Sequence, residues 1–435
     1  MELEHVLARA KLVSEEAEAF SVSRTETEAL FQANRLKLVQ TKETSGMALR
    51  LIKEGRIGFS ASTKPDEGQL VAMALEAAPF GAQAKFQFPG IESYPKIEVY
   101  DPQAEVMSEE EMVELGQSLI DELRGHTPEL VCEAAVIRNT TSVEILNLRG
   151  GKAAYTKSAF VIGVEGVLIR GTDMLFVGDS ECSCHPLSDI SAVIESARRQ
   201  LDWAKDTVPA PTGHLPVLFT PHGVASALIT PLTLACNGKM VFQGASPLGD
   251  KKGKQVLHPK LSIWDDATIE YRPESRCCDD EGVPSQRIPL IRDGVVLSFL
   301  YDLQTAGLAG TESTGSASRA LGSLPAPAIS SLIIEAGEAE FEDMLAEIKE
   351  GLVIEQLIGA SQGNVLGGEF SGNVLLGYKV EKGRIVGRVK DTMISGNVYE
   401  LLKEGIALGS KPRWVGSSLL TPPILCPKVA VAAKG

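Results

Sequence analysis

The chain has 435 residues, enough for two or three domains, and its 44% apolar and 23% charged content is ordinary for a globular protein. It carries 42 basic and 57 acidic residues, a net charge of −15, and an acidic surface repels phosphate backbones, so we expect no nucleic-acid binding. No run of 18 apolar residues and no signal-peptide pattern occurs, so we expect no membrane partner. Seven scattered cysteines, an odd count, favour a reduced, cytoplasmic protein.

The first hundred residues mix helical and strand-like patterns. Apolar residues recur every three or four positions over 1–20, which predicts an amphipathic helix. A strand-like alternation begins at Phe20. Alternating residues on both sides of 54–56 predict a β-hairpin, and the spacing of apolar residues over 70–77 predicts a second helix.

The next hundred residues repeat this mixture. A third helix is predicted after Ser108, because Ser108 and Glu111 have the spacing of a capping box. A fourth helix is predicted with Ser188 as its N-cap. Strands are predicted near 131–137, 142–148 and 153–168. Residues 1–207 are therefore predicted to form an N-terminal α+β domain.

A proline- and glycine-rich segment, VPAPTGH at 208–214, predicts a domain joint over 208–215. Beyond it, 216–435 contain helical patterns only near 222–236, near 340–350 and, briefly, after Asn397. Glycine turns at 292–294 and 382–383 predict hairpins. The predicted fold class is α+β, with the N-terminal α+β domain followed by a β-rich domain, a twisted sheet or partial barrel with few helices.

Isolated motifs favour structural over catalytic roles. CxCH at 182–185 lacks the second ligand pair of a structural zinc site, so it is interpreted as a loop at the end of a strand. The acidic run 279–281 lacks the alternate spacing of a calcium loop and is interpreted as a turn with solvated carboxylates. His222, at a helix start, is interpreted as a surface residue. No nucleophile elbow or phosphate loop is present.

A series of motifs in the second half resembles the TldD/PmbA family over essentially the whole chain. The order and spacing of the motifs carry the resemblance more than any single one. The motifs are KQVLHP (254–259), DDEGVPSQR (279–287), LIRDG (290–294), STGSASR (313–319), GGEFSGNV (367–374), VEKGRI (380–385) and MISGNVYELL (393–402).

The resemblance implies the fold of a zinc peptidase that lacks the zinc ligands. TldD-like members carry an HExxxH helix and a cysteine near the C-terminus, whereas PmbA-like (TldE-like) members lack them and pair with TldD. In this chain the histidine positions fall on Thr230 and Ala235, the glutamate position on Pro231 and the cysteine position near Val415. No histidine or glutamate lies between 223 and 241. We therefore expect no metal, cofactor or catalytic residue in this chain.

The predicted function is a PmbA-like, non-catalytic subunit of a TldD-type zinc metallopeptidase assembly that acts on unfolded or precursor peptides. Its expected partners are a TldD-like subunit, which would supply the zinc, or a second copy of the chain. Two alternatives stay open. One is a stand-alone metallopeptidase with an unrecognised metal site, and the other is an interaction protein linked to DNA gyrase, a connection that the family resemblance implies. Whether the chain is itself an enzyme is left open.

Overall fold

The structure is a computed structural model and describes residues 2–64 and 66–433. Its α-helices are α1 (Glu2–Ala10), α2 (Glu67–Ala77), α3 (Gln103–Val106), α4 (Glu109–His126), α5 (Ser191–Trp203), α6 (Pro221–Ala227), α7 (Ile229–Ala235), α8 (Gly238–Phe242), α9 (Leu303–Ala309), α10 (Phe341–Ala346) and α11 (Val398–Leu401).

The strands are β1 (Glu16–Gln32), β2 (Arg35–Lys53), β3 (Arg56–Ser62), β4 (Val131–Asn147), β5 (Lys152–Arg170), β6 (Asp173–Ser183), β7 (Gly213–Phe219), β8 (Ile263–Asp266), β9 (Arg287–Arg292), β10 (Val295–Val296), β11 (Ala317–Ser318), β12 (Ala326–Pro327), β13 (Leu332–Ile334), β14 (Glu350–Ile358), β15 (Glu369–Glu381), β16 (Arg384–Arg388), β17 (Thr392–Asn397), β18 (Ala407–Leu408), β19 (Arg413–Val415), β20 (Leu419–Thr421) and β21 (Ile424–Ala433).

The first half is built around a six-stranded antiparallel sheet in the order β3-β2-β1-β4-β5-β6. Helices α4 and α5 pack on one face of it, where alternate residues such as Val136 and Ile162 are fully buried. The hairpin turn at 54–56, the second helix and the capping box of Ser108 with Glu111 are confirmed.

Three boundaries differ from the sequence-based predictions. The first helix ends at Ala10, and residues 16–20, predicted as its last five residues, pair with β2. The strands predicted near 131–137 and 142–148 are one strand, β4, because uninterrupted pairing with β5 outweighs the polar run between them. Helix α5 begins at Ser191, not after Ser188, since Asp189 Oδ1 accepts the Ser191 N–H.

The second half contains a barrel-like sheet. Strands β14, β7, β21, β17 and β15 pair in that order, and β15 pairs back with β14, which closes the ring. A second sheet has the order β10-β9-β8-β13-β20-β19. The hairpins at 292–294 and 382–383, the helix near 340–350 and the short helix after Asn397 are confirmed. The predicted α+β class with a β-rich second half is also confirmed.

Two structural units share one core. Apolar side chains of the first sheet and of α4 and α5 pack in the same buried cluster as Val353, Tyr378 and Leu425 from the barrel. The Tyr378 ring lies edge-on to Trp203 of α5, with ring centroids 5.2 Å apart. The barrel and the first sheet are therefore held against each other by apolar burial, which places the edge strand β6 beside β15, β19 and the start of α6.

The single helix predicted near 222–236 is broken. It consists of α6 and α7, which meet at Leu228. Pro231 is the third residue of α7, and the first turn of a helix tolerates proline because its N–H groups have no partner inside the helix. Pro231 also lacks the N–H that a continuous helix would need for a bond to the Ala227 carbonyl, which agrees with the break at Leu228.

The acidic run at 279–281 is buried, so its interpretation as a solvated turn is wrong. Asp279 accepts three backbone N–H groups. Arg276 Nη1 lies 3.2 Å from Asp280 Oδ1, and Arg50 Nη1 lies 2.5 Å from Glu281 Oε1. Buried carboxylates need such partners. Arg50 lies 231 residues away in the sequence, so no local spacing could reveal the pair.

None of the helices in the described part of the chain has both the length and the apolar character that crossing a membrane requires.

Candidate functional site

A cavity of about 840 Å³ lies where the first sheet meets the barrel. Its walls come from β1, β4, β5 and β6 on one side and from α6, β14 and β15 on the other. The volume falls within the range of about 300–1,000 Å³ found for small-ligand sites. The polar side chains around it converge from elements that are distant in the sequence.

The start of α6 is fixed by its local sequence. Thr220 is the N-cap, its side chain accepting the Gly223 N–H, and Pro221 occupies the first helical position. A side chain at Gly223 would bring a Cβ within 2.2 Å of the Ile354 carbonyl oxygen, so glycine permits α6 to lie directly on β14. This close approach brings His222 to the cavity.

His222 belongs to a charged cluster with Asp179 and Arg413. His222 Nε2 lies 3.2 Å from Asp179 Oδ1, and Arg413 Nη1 lies 2.7 Å from Asp179 Oδ2, both as ion-pair contacts without hydrogen-bond alignment. Arg413 also donates to Ser196 Oγ at 3.1 Å. The Asp179 side chain is fully buried, so its two cationic neighbours are needed to keep it charged.

The pKa values of this cluster follow from its contacts. Burial disfavours the charged form of Asp179, but His222 and Arg413 outweigh burial and hold its pKa below the usual range. Burial likewise opposes protonation of His222, but Asp179 and Glu355 outweigh it, so the pKa of His222 is raised above 6.5. The cluster therefore favours an imidazolium beside a carboxylate.

Glu355 is the fourth charged group and lies at an irregularity of β14. Ile354 pairs with Gly377 and Gln356 with Leu376, so Glu355 is an extra residue in the ladder. Such bulges redirect side chains and are common beside functional sites. Thr220 Oγ1 donates to Glu355 Oε2 at 2.7 Å, while Oε1 is buried and has no hydrogen-bond partner in the described part of the chain. Burial raises the pKa of Glu355.

The cavity wall that the first sheet forms is acidic. Glu133 and Glu165 stand opposite each other on β4 and β5, both exposed, and Gly178 stands opposite Glu165 on β6. A Cβ at Gly178 would lie 2.5 Å from the Val164 carbonyl oxygen, so glycine is required for this close packing of β6 on β5. Neither glutamate forms an ion pair within the described residues.

The structure separates the four residues predicted at the degenerate zinc site. Val415 ends β19 and lines the cavity. Thr230 is exposed on α7, while Pro231 and Ala235 are buried in it. The Pro231 carbonyl accepts from Tyr399 Oη at 3.1 Å, and the Ala235 carbonyl accepts from Ser246 Oγ at 2.6 Å. These contacts are structural, and the mapping of catalytic positions onto these residues stays a prediction.

The donors present do not fit a TldD-type zinc site. Such a site needs about three nitrogen, sulfur or carboxylate ligands and an open position. Thr230, Pro231, Ala235 and Val415 together offer one hydroxyl. Among the residues that the structure describes, no group of three or more His, Cys, Asp or Glu side chains is arranged to hold a metal ion. At Asp179 a guanidinium already stands where a cation would bind.

Sequence reasoning missed the residues around the cavity. The pair Thr220-Pro221 does predict the helix start that carries His222, because proline is common directly after an N-cap residue. Nothing local marks Asp179, Glu355 or Arg413, which join His222 only through tertiary packing. His222 is half-buried and paired, so its interpretation as a surface residue is wrong.

Fold and site together define an α+β protein with a ligand-sized, charged cavity between an antiparallel sheet and a barrel. A family model described as the PmbA/TldA metallopeptidase C-terminal domain matches residues 212–433, and domain 1 of the same family matches 17–78. The chain belongs to this PmbA/TldD metallopeptidase family.

Relatives differ in how much of the chain they match. A Methanocaldococcus jannaschii protein described only as uncharacterised is 27% identical over 94% of this chain and 95% of its own length. A metalloprotease TldD homologue from Haemophilus influenzae is 32% identical over 50% of this chain and 45% of its own. The metalloprotease PmbA of Escherichia coli O157:H7 is 28% identical over 50% of this chain and 46% of its own.

Solved structures share the fold over the whole chain. TldE from Thermococcus kodakarensis superposes with a TM-score of 0.88 at 23% identity, covering 100% of both chains. A proposed modulator of a DNA gyrase from Thermotoga maritima superposes with a TM-score of 0.89, also at 23% identity, covering 99% of both chains. At this identity the likeness establishes the fold.

Proposed function

We propose that the chain is a PmbA/TldE-like, non-catalytic subunit of a TldD-type metallopeptidase assembly that acts on unfolded or precursor peptides in the cytoplasm. The observation that carries the proposal is the donor chemistry. Thr230, Pro231, Ala235 and Val415 supply neither the zinc ligands nor the carboxylate that activates water in such an enzyme. A TldD-like partner would supply both.

The cavity and a nearby strand edge support a role in holding peptide. Strand β3 pairs with β2 only over 47–53, so 35–46 form an open edge of the first sheet, and Lys37 of this edge lines the cavity. Extended peptides bind such edges through main-chain hydrogen bonds. The edge of β6 is less available, because the Gln200 side chain bonds both the N–H and the carbonyl of Gly178.

Zinc analysis of the purified full-length chain tests the proposal. The chain is exposed to zinc, freed of excess metal and analysed beside a TldD-like partner treated in the same way. We expect far less than one zinc per chain here and about one per chain in the partner. One tightly held zinc per chain, together with peptide cleavage by the isolated protein, would overturn the proposal in favour of a stand-alone peptidase.

A further inference from the structure

We propose that the cavity bounded by Glu133, Glu165 and Glu355 binds an alkylammonium group carried on a peptide, either a lysine side chain or a free α-amino group. The inference takes from the proposed function only the assumption that the ligand is a peptide. It concerns binding by this chain alone. The inference can therefore fail while the partnership with a TldD-like subunit is confirmed, and the partnership can fail while the inference is confirmed.

The first argument is the unsatisfied oxygen of Glu355. Glu355 lines the cavity although only 3% of it is exposed. Its Oε2 is bonded to Thr220, whereas Oε1 is buried and has no donor among the described residues. A buried carboxylate oxygen without a partner costs free energy, and a donor with positive charge relieves most of it. The bulge in β14 holds the side chain in this orientation.

The second argument is the charge balance of the lining. His222 and Arg413 are already engaged by Asp179. Three glutamates then remain, at 133, 165 and 355, against one lysine, Lys37. The lining is therefore net negative, and a cationic group is the ligand that its field attracts.

The third argument is the pairing of Glu133 with Glu165. Like charges directly opposite each other on neighbouring strands destabilise a sheet. Both carboxylates are exposed and line the cavity, so a bound cation would contact them without moving the backbone. An ammonium group has three donors, so it can bond to more than one carboxylate.

A peptide fits the site better than a metal ion does. The acidic groups come from separate walls of an 840 Å³ space, and no set of three is arranged as a metal site within the described residues. The rest of the lining supplies apolar contacts for a peptide chain, including Leu30, Val161, Phe176 and Leu375.

Calorimetric titration with three amidated pentapeptides tests the inference on the full-length chain. The first, acetyl-Gly-Ala-Lys-Ala-Gly-amide, carries only a lysine cation. The second replaces lysine by norleucine and leaves the α-amino group free, and the third has norleucine and an acetylated end. We expect at least one of the two cationic peptides to bind on the order of tenfold or more tightly than the uncharged one. The preferred cation identifies the source of the ammonium group.

Variants locate the binding site. Glu355→Gln keeps the shape of the side chain and its hydrogen bond from Thr220 but removes the charge. It should weaken binding of the cationic peptides by roughly tenfold to a hundredfold. The surface double variant Glu133→Gln/Glu165→Gln does not threaten folding and should weaken it by several-fold, mainly at low salt. Glu195→Gln, an exposed residue of α5 outside the cavity, is the matched control and should bind as the parent does.

Three results would overturn the inference. They are equal binding of charged and uncharged peptides, no binding of any of the three, and binding that survives both glutamine variants unchanged. If the double variant unfolds at the same temperature as the parent, its loss of binding comes from the removed charges and not from misfolding. If Glu355→Gln does not fold, the double variant decides the question alone.

Discussion

At the scale of single residues, the contact between His222 and Asp179 explains why a histidine at a helix start is held beside a cavity. A cation is unfavourable at a helix N-terminus, where the helix dipole is positive. Here Asp179 and Glu355 outweigh both that effect and burial, and the pKa of His222 is raised. The residue is thus stabilised as an imidazolium by groups from two other elements.

This contact predicts a pH-dependent contribution to stability. A histidine with a raised pKa in the folded state stabilises fully below its unfolded pKa of about 6.5, and the contribution disappears as pH rises through the folded pKa. His222→Gln should therefore cost on the order of 1 kcal/mol at pH 6 and less at pH 8.5. Urea unfolding at both pH values measures this. His214→Gln, at an exposed position, is the control, and parallel pH curves for His222→Gln and the parent would contradict the account.

Residue identities at the cavity were predictable only in part. The turn Thr220-Pro221 marks a helix start in the sequence, yet the carboxylates that make His222 a site residue lie 43 and 133 positions away. The same reason hid the burial of 279–281, whose partners Arg50 and Ala317 are remote in sequence. Side-chain roles that depend on tertiary contacts cannot be predicted from the spacing of residues in a local segment.

At the scale of elements, the close packing of α6 on β14 positions the cavity residues. The packing depends on Gly223, whose missing side chain leaves room for the Ile354 carbonyl. Because Thr220, His222 and Glu355 all lie at this junction, a small displacement of α6 would change the His222–Asp179 and Thr220–Glu355 distances.

Gly223→Ala should therefore destabilise the protein by about 1–3 kcal/mol, through overpacking. It should also weaken any binding in the cavity. The control is Gly125→Ala in α4, where a Cβ meets nothing within 4 Å and the change should stabilise by up to about 1 kcal/mol. Chemical unfolding of the two variants is the measurement. Equal effects at both glycines would show that α6 does not depend on this contact.

Elements with strong local signals were predicted well, and long strands were not. The capping box at Ser108, the hairpin turns and the short helix after Asn397 each rest on a few adjacent residues. Strands β1, β2 and β4 contain 17 to 19 residues with polar stretches in their middle. The long strand β5 has an apolar middle and is the exception, since it was predicted over 153–168. Their continuity comes from cross-strand pairing, which a single sequence does not display.

At the scale of the whole molecule, a buried ion network ties the first sheet to the second half of the chain. Arg50 of β2 contacts Glu281 at 2.5 Å and Glu18 at 3.1 Å, and its guanidinium lies 4.9 Å from the ring centroids of Phe86 and Phe88. Removing one member of such a network leaves buried charges without partners.

Arg50→Leu is expected to lower the free energy of unfolding by about 3–5 kcal/mol. Arg149→Leu removes an exposed ion pair with Glu16 and should cost no more than about 1 kcal/mol. Urea unfolding of both variants makes the comparison. A small loss for Arg50→Leu would mean that apolar packing alone holds the two halves together.

The fold class and the order of the two halves were predictable because composition and turn signals change after residue 214. The closure of the barrel was not, since it requires β7 to pair with β14 and β21, which lie far along the chain. The domain limits 1–207, 208–215 and 216–435 stay a prediction. So does the assembly with a TldD-like subunit, which concerns surfaces outside a single chain.

Peptide cleavage after reconstitution tests the central claim most directly. An unstructured peptide is incubated with this chain, with a TldD-like partner, and with their mixture, all in the presence of zinc. The account predicts no cleavage by this chain alone and cleavage by the mixture that exceeds that of the partner alone and is abolished by a chelator. Cleavage by this chain alone, or a mixture no more active than the partner, would contradict it.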